Sequence, residues 1–291
     1  MADVDWNTRL LSQAGNYLKW ISIHGYWDDL WQNNNLSTYE QCMALTGGLD
    51  RDVQKVRGML TAFGLEKNIR IAFDEWNLRS WHHPNVNAAP LGNEEFIRAR
   101  GKADLNATYT MADAVFTGCF FNMLLRNADI VGMANYAPAV NTRGVIYVHD
   151  KGIVRRTTYH VFWMYTHLMG DQIIDSWMPD NIIEVKSTKH GEERRVEMLD
   201  ALATRCSESG KLAISLVNKD TDNEQTIDIE LPIGYELETM TSLRGDSPND
   251  YNDVDHENVV PEDLTENVQK ENRRLRVSVP PHSVNILVLQ K

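Results

Sequence analysis

The 291-residue chain is 42% hydrophobic and 24% charged, the balance of a soluble globular protein long enough for one large domain or two ordinary ones. Its formal net charge of −12 argues against nucleic acid or an anionic membrane as a partner, because both select clustered lysine and arginine. No run approaches 18 consecutive apolar residues, so no membrane span is expected, and three widely spaced cysteines (Cys42, Cys119 and Cys206) indicate neither a disulfide framework nor a zinc site. The opening stretch MADVDWNTRL is acidic and polar rather than a secretory leader, which together with the cysteine usage predicts a reducing, cytoplasmic location.

Strand and helix patterns alternate up to about residue 170. YLKWISIHGYW (17–27) reads as a strand, and DRDVQKVRGMLTAFGLE (50–66) as an amphipathic helix with Val53, Val56, Leu60 and Phe63 on one face. In IRIAFDEWNLRSW (69–81), Ile69, Ile71 and Phe73 alternate with Arg70 and Ala72, giving a buried strand that ends on Asp74 and Glu75. A long buried helix is predicted over 108–128, a strand over 130–138, and a helix over 157–170 closed by Gly170. Strand–helix order of this kind implies a parallel sheet, open or closed into a barrel.

After Gly170 the texture changes to short alternating runs separated by Gly, Pro, Asn and Asp. IIEVKST, RRVEMLDALATR, KLAISLVNK, QTIDIELP, YELETMTSL and RLRVSVPPHSVNILVLQ together predict an antiparallel β-sandwich over 171–291. Sixteen acidic residues stand against two basic ones (Arg244 and Lys270) between Asp220 and Glu271. Within that span DSPNDYNDVDHEN lacks the glycine and spacing of an EF-hand calcium loop, so a solvated surface loop is expected and no metal site.

Parallel α/β proteins carry their active sites at the carboxyl ends of strands. Here those ends present His24, Tyr26 and Trp27, then Asp74, Glu75, Trp76 and Asn77 with Trp81 just beyond, then Asn135 and Tyr136. Aromatic faces stack on the CH surface of a sugar ring while His, Tyr and carboxylate groups bond its hydroxyls. Any one of these ends reads as structural; three together favour carbohydrate chemistry. Asp74, one residue before Glu75, falls on the opposite face of a regular strand and reads as structural.

FDEWN at a strand end resembles the family 51 glycoside hydrolases, the α-L-arabinofuranosidases. ISIHGY lies about 50 residues before it, and YTMADAVFTGCFFNMLLRNADIVGMANYAP lies after it. The resemblance runs over essentially the whole chain. It implies the C-terminal part of a (β/α)8 barrel (1–170) followed by a β-sandwich (171–291), acting by a retaining mechanism on terminal arabinofuranosyl groups of arabinoxylan or arabinan oligosaccharides. It implies no cofactor, and a homo-oligomer. It assigns Glu75 as nucleophile and His24 and Tyr26 as the pair that contacts the sugar and orients the nucleophile; Trp27, Trp76, Asn77 and Trp81 are expected, from their place at the strand ends, as further substrate contacts. A retaining glycosidase also needs an acid/base about 5 Å from its nucleophile. In the family this is the Glu of an Asn-Glu pair upstream of the His strand. The residues before ISIHGY hold no Glu, and Asn93-Glu94 comes after the nucleophile, in the wrong order. Three strand–helix units do not close an eight-stranded barrel, so the first strand is expected to have an open side and Ile21, Ile23, Ile69 and Ile71 to lack a partner layer. The chain is expected to act only when completed by a missing N-terminal half or a second polypeptide carrying the acid/base. The alternative is a non-catalytic carbohydrate-binding or assembly subunit.

Overall fold

The computed structural model describes residues 2–27, 38–78, 106–186 and 193–291. Asp3 caps α1 (Val4–Ala14), its carboxylate accepting the Trp6 N–H at 2.8 Å. β1 (Trp20–Trp27) comes next, then α2 (Tyr39–Ala44), α3 (Arg51–Ala62), β2 (Arg70–Leu78), α4 (Met111–Arg126), β3 (Val131–Tyr136), the hairpin β4 (Ile146–His149)–β5 (Gly152–Arg155), and α5 (Thr157–Leu168). Capping boxes set two helix starts, Thr38 with Gln41 for α2 and Thr110 with Asp113 for α4. α3 stops because Gly64 takes φ +67°, letting the Leu65 N–H reach back to the Leu60 carbonyl at 2.9 Å.

β1, β2 and β3 form a parallel sheet in that order. Ile21, Ile23, Ile69, Ile71 and Phe73 are buried in one core with Val53, Val56 and Leu60 of α3 and Phe116 and Phe120 of α4. The expectation that these isoleucines lack a partner layer is therefore corrected. They face the chain's own helices, and it is the opposite face of the sheet that stays open, with Ser22 and His24 exposed on β1. Among the described residues β1 has a strand partner on its β2 side only.

Among the described residues, every strand ladder after β3 is antiparallel. β6 (Gln172–Ile174), β9 (Leu199–Arg205), β10 (Leu212–Asn218), β12 (Glu236–Leu243), β13 (Glu262–Asp263) and β16 (Ser283–Gln290) form a six-stranded sheet ordered β13-β12-β16-β10-β9-β6. β11 (Gln225–Glu230), β14 (Gln269–Glu271) and β15 (Arg274–Val279) form a three-stranded sheet, and β7 (Ile182–Lys186) pairs with β8 (Glu193–Glu197). The run RRVEMLDALATR, read as one strand, breaks at Met198 into β8 and β9, which join different sheets. Leu216, Leu287 and Leu289 pack with Val277 and Val279 of the smaller sheet, completing the sandwich. The other faces of the same strands, through Ala213, Val217, Val284, Ile286 and Val288, join the core of α4 and α5. The larger sheet is thus buried on both sides, which is why SVNILVLQ is apolar at successive positions instead of alternating. Gly118 of α4 permits the close approach, since a Cβ there would meet Val217 and Val284 at 3.0 and 3.1 Å.

Two local readings change. α5 ends at Leu168, and Gly170 does not cap it through a left-handed turn. A Cβ on Gly170 would lie 2.2 Å from the Arg205 backbone, so glycine is required there for contact with β9. DSPNDYNDVDHEN is more than a solvated loop: Asn252 is 1% exposed, donating to the carbonyls of Arg155 and Val259 while its own carbonyl accepts from Asn106. The loop straps β5 to the start of α4.

His160 on α5 is 5% exposed, with Nε2 3.8 Å from a Glu257 carboxylate oxygen. Burial lowers its pKa from 6.5 to about 4, Arg155 adding to the fall and Glu257 opposing it. A depressed histidine pKa means that the unfolded chain takes a proton the folded one refuses. Its contribution to stability is whole above about pH 6.5 and is lost as pH falls towards 4. The expected loss from this group between pH 7 and pH 5 is about 2 kcal/mol. Urea unfolding of wild type and His160→Phe at both pH values checks it. The variant should lose less stability on acidification, and parallel losses would show that His160 is not the titrating group.

Candidate active site

The carboxyl ends of β1 and β2 meet in an irregular register. Ile23 pairs with Phe73, but His24 pairs with Glu75, so Asp74 and Glu75 together oppose one residue of β1. The ladder to β3 slips at the same place, Phe73 opposing Ala134 and Trp76 opposing Tyr136. This is a β-bulge, and it inverts the facing of the residues beyond it. Ile71 and Phe73 face the helices, so in a regular strand Glu75 would join them in the apolar layer, where a carboxylate without a cationic partner costs several kcal/mol. The extra residue turns Glu75 to the open face instead and turns Trp76 inward.

On the open face the Tyr26 hydroxyl donates to Glu75 Oε2 at 2.7 Å, and His24 Nδ1 lies 3.5 Å from the same oxygen. His24 Nε2 lies 3.3 Å from Asp74 Oδ1, which accepts the Ser22 hydroxyl proton at 2.7 Å. The imidazole therefore sits between two carboxylates, and the side chains of His24, Asp74 and Glu75 are all 42–47% exposed. The expectation that Asp74 points away from Glu75 is corrected by the bulge.

The tryptophans go elsewhere. Trp76 has no exposed surface: it stacks on Phe120 (4.0 Å between centroids, 27° between planes) and meets Tyr136 edge-on at 4.9 Å. Trp27 lies between Phe116 and Phe120 at 5.4 and 5.2 Å, on the helix side with Ile21 and Ile23. Because of the bulge Trp76 presents no free ring face to a ligand, contrary to expectation, and Trp27, from its odd place in β1, packs against the helix side while staying partly exposed. Asn77 is 1% exposed, its amide donating to the backbone carbonyls of Ala137 and Arg143 at 3.0 and 3.1 Å. It holds the loop after β3 in place, and its donors are spent. Trp81, Asn93 and Glu94 lie outside the described residues. Of the predicted site, then, the fold brings His24, Tyr26 and Glu75 together.

Sequence reasoning missed Ser22, Asp74 and Arg143. Ser22 was legible, since it shares the period-two face of His24 and Tyr26. Arg143 gave no signal: its guanidinium lies 5.9 Å from the Tyr26 ring centroid, and its Nε and Nη1 are buried without a hydrogen-bond partner among the described residues. Among the same residues no group of three or more His, Cys, Asp or Glu side chains is placed to hold a metal ion, and no helix is long and apolar enough to cross a membrane. An exposed carboxylate, oriented by a phenol and an imidazole at the end of a parallel sheet, is suited to nucleophilic attack on a bound electrophilic carbon.

Comparison with known proteins places this geometry in context. Residues 74–283 match the family model described as the alpha-L-arabinofuranosidase C-terminal domain. The chain is 26% identical over 290 residues to the exo-alpha-(1->6)-L-arabinofuranosidase of Bifidobacterium longum, covering 96% of this chain and 53% of that protein. It is 27% identical over 293 residues to the intracellular exo-alpha-(1->5)-L-arabinofuranosidase 1 of Bacillus subtilis strain 168, covering 99% of this chain and 55% of that protein. The crystal structure of the GH51 arabinofuranosidase from Xanthomonas axonopodis pv. citri superposes with a TM-score of 0.77 at 20% identity, over all of this chain and 56% of that one, which shows the fold. The chain spans about half the length of the curated relatives it matches. With a family model covering most of its length, starting at Asp74 beside Glu75 and running through the sandwich, the chain belongs to the family of α-L-arabinofuranosidase C-terminal domains.

Proposed function

We propose that this chain is the nucleophile-bearing portion of a retaining α-L-arabinofuranosidase. It would release terminal arabinofuranosyl groups from arabinan- or arabinoxylan-type oligosaccharides once further barrel strands supply the acid/base. The observation that carries the reading is Glu75, turned by the bulge onto the open sheet face with its Oε2 held by the Tyr26 hydroxyl at 2.7 Å. Because Tyr26 and His24 both address Oε2, Oε1 is the oxygen left to attack the anomeric carbon. Attack forms a glycosyl ester through an oxocarbenium-like transition state as the acid/base protonates the departing oxygen. The same group then takes a proton from water, which displaces Glu75 and restores the original anomeric configuration. The edge of β1 that pairs with no strand among the described residues supports completion by added strands, since exposed strand edges otherwise invite non-native pairing. Domain limits near residue 170 and a homo-oligomeric assembly belong to the same proposal.

Two samples test it with 4-nitrophenyl α-L-arabinofuranoside. The first is the chain alone; the second is the completed enzyme, in which the chain is joined to or co-expressed with an upstream barrel half bearing an Asn-Glu strand end. The expected outcome is no turnover alone and turnover on completion. Turnover by the chain alone would remove the need for completion. A completed assembly that binds arabinose without hydrolysing the substrate would favour a non-catalytic carbohydrate-binding subunit.

A further inference from the structure

We infer that Asp74 is a positioning residue for Glu75, acting through His24. The inference rests on the reading of Glu75 as nucleophile and extends it to a residue with no assigned role. Asp74 and Glu75 share the open face because the bulge lets two consecutive residues oppose His24. The His24 side chain is 46% exposed, so packing does not by itself lock its ring. Two carboxylates bracket it, Asp74 Oδ1 at 3.3 Å from Nε2 and Glu75 Oε2 at 3.5 Å from Nδ1. Asp74 in turn is held by the Ser22 hydroxyl at 2.7 Å. With the Nε2 edge anchored on Asp74, the Nδ1 edge must face Glu75. Without that anchor the ring loses one of the two carboxylates that orient it, and its Nδ1 edge is held less firmly against Glu75. Tyr26 alone then holds Oε2, and Oε1 loses its fixed direction. Such loss of aim is costly, because a displacement of about 1 Å in a reacting group can reduce the rate about 100-fold.

A double-mutant cycle in the completed enzyme tests this, with kcat and KM for 4-nitrophenyl α-L-arabinofuranoside as readouts. Asp74→Ala should lower kcat by about 10- to 100-fold with KM held within about threefold. In a His24→Ala background the same change should cost less than about threefold, because the group it acts through is gone. Asp74→Asn keeps an acceptor oxygen for Nε2–H and should recover most of the loss. Ser22→Ala should show a smaller effect with the same dependence on His24, and it serves in place of Asp74→Ala if that variant does not fold. Equal losses in the presence and absence of His24 would overturn the inference, as would a kcat within about twofold of wild type for Asp74→Ala. Glu75→Ala, assayed with and without azide in the same series, judges the underlying reading separately.

Discussion

If Glu75 is the nucleophile as proposed, its replacement by alanine in the completed enzyme should lower turnover of an aryl α-L-arabinofuranoside by on the order of 10⁴ or more, the loss usual when one member of a catalytic unit is removed. The expected effect is large because a nucleophilic carboxylate contributes a covalent bond rather than one hydrogen bond among several. The Glu75 side chain is 47% exposed, so the unfolding midpoint should move far less than the activity. Azide supplies the decisive signature. The truncated side chain leaves space for a small anion on the face that Tyr26 and His24 address, and azide entering there yields the glycosyl azide of inverted configuration. Near-wild-type hydrolysis by Glu75→Ala would move the nucleophile elsewhere, and Asp74 would be the next residue to test.

Trp76→Ala acts on stability instead. Trp76 is wholly buried among Phe120, Phe121, Tyr136 and Phe162, so truncation opens a cavity that rigid rings on three elements cannot close. The expected cost is about 3–5 kcal/mol, a large share of the stability of an ordinary domain. No hydrogen bond adds to it, because the indole nitrogen has no partner among the described residues. Trp76→Phe, which keeps an aromatic ring beside Phe120, should recover much of the loss. Urea unfolding checks both variants, and a change under about 1 kcal/mol for Trp76→Ala with selective loss of sugar affinity would return Trp76 to the substrate-binding face.

Much was legible from local pattern. The alternation of Ile21 and Ile23 with Ser22 and His24 marks the apolar side of β1, and the same period, carried further along the strand, puts Trp27 with the helices. Of the apolar stripe read on α3, Val53, Val56 and Leu60 are buried, while Phe63 falls at the C-cap and is exposed. Threonine three residues ahead of Gln41 and of Asp113 marks the starts of α2 and α4, through bonds that close within one turn of chain. Short antiparallel runs between turn residues announced the sandwich. These are properties of a few consecutive residues, and physics acting over that range is written in the sequence.

The bulge between Phe73 and Trp76 is of another kind. Nothing in AFDEWN distinguishes a regular strand from one that gains a residue, because the choice is made by neighbours far along the chain on either side. β1 must place His24 opposite Glu75, and β3 must bring Tyr136 opposite Trp76. Burying an indole against Phe120 and keeping a carboxylate in water are both favoured by one slip of register. That slip reversed the reading of Asp74 and Trp76 together. The two-sided burial of SVNILVLQ was decided the same way, by helices α4 and α5 covering the back of a sheet whose front meets β11, β14 and β15. By itself, the sequence determined the strands and helices around the site, the antiparallel texture after residue 170 and that a carboxylate ends β2, but not α1, α2, the β4–β5 hairpin or the break between β8 and β9. Only the tertiary structure decided which face each side chain takes, because facing depends on register and layering with partners remote in sequence, and one inserted residue inverts it.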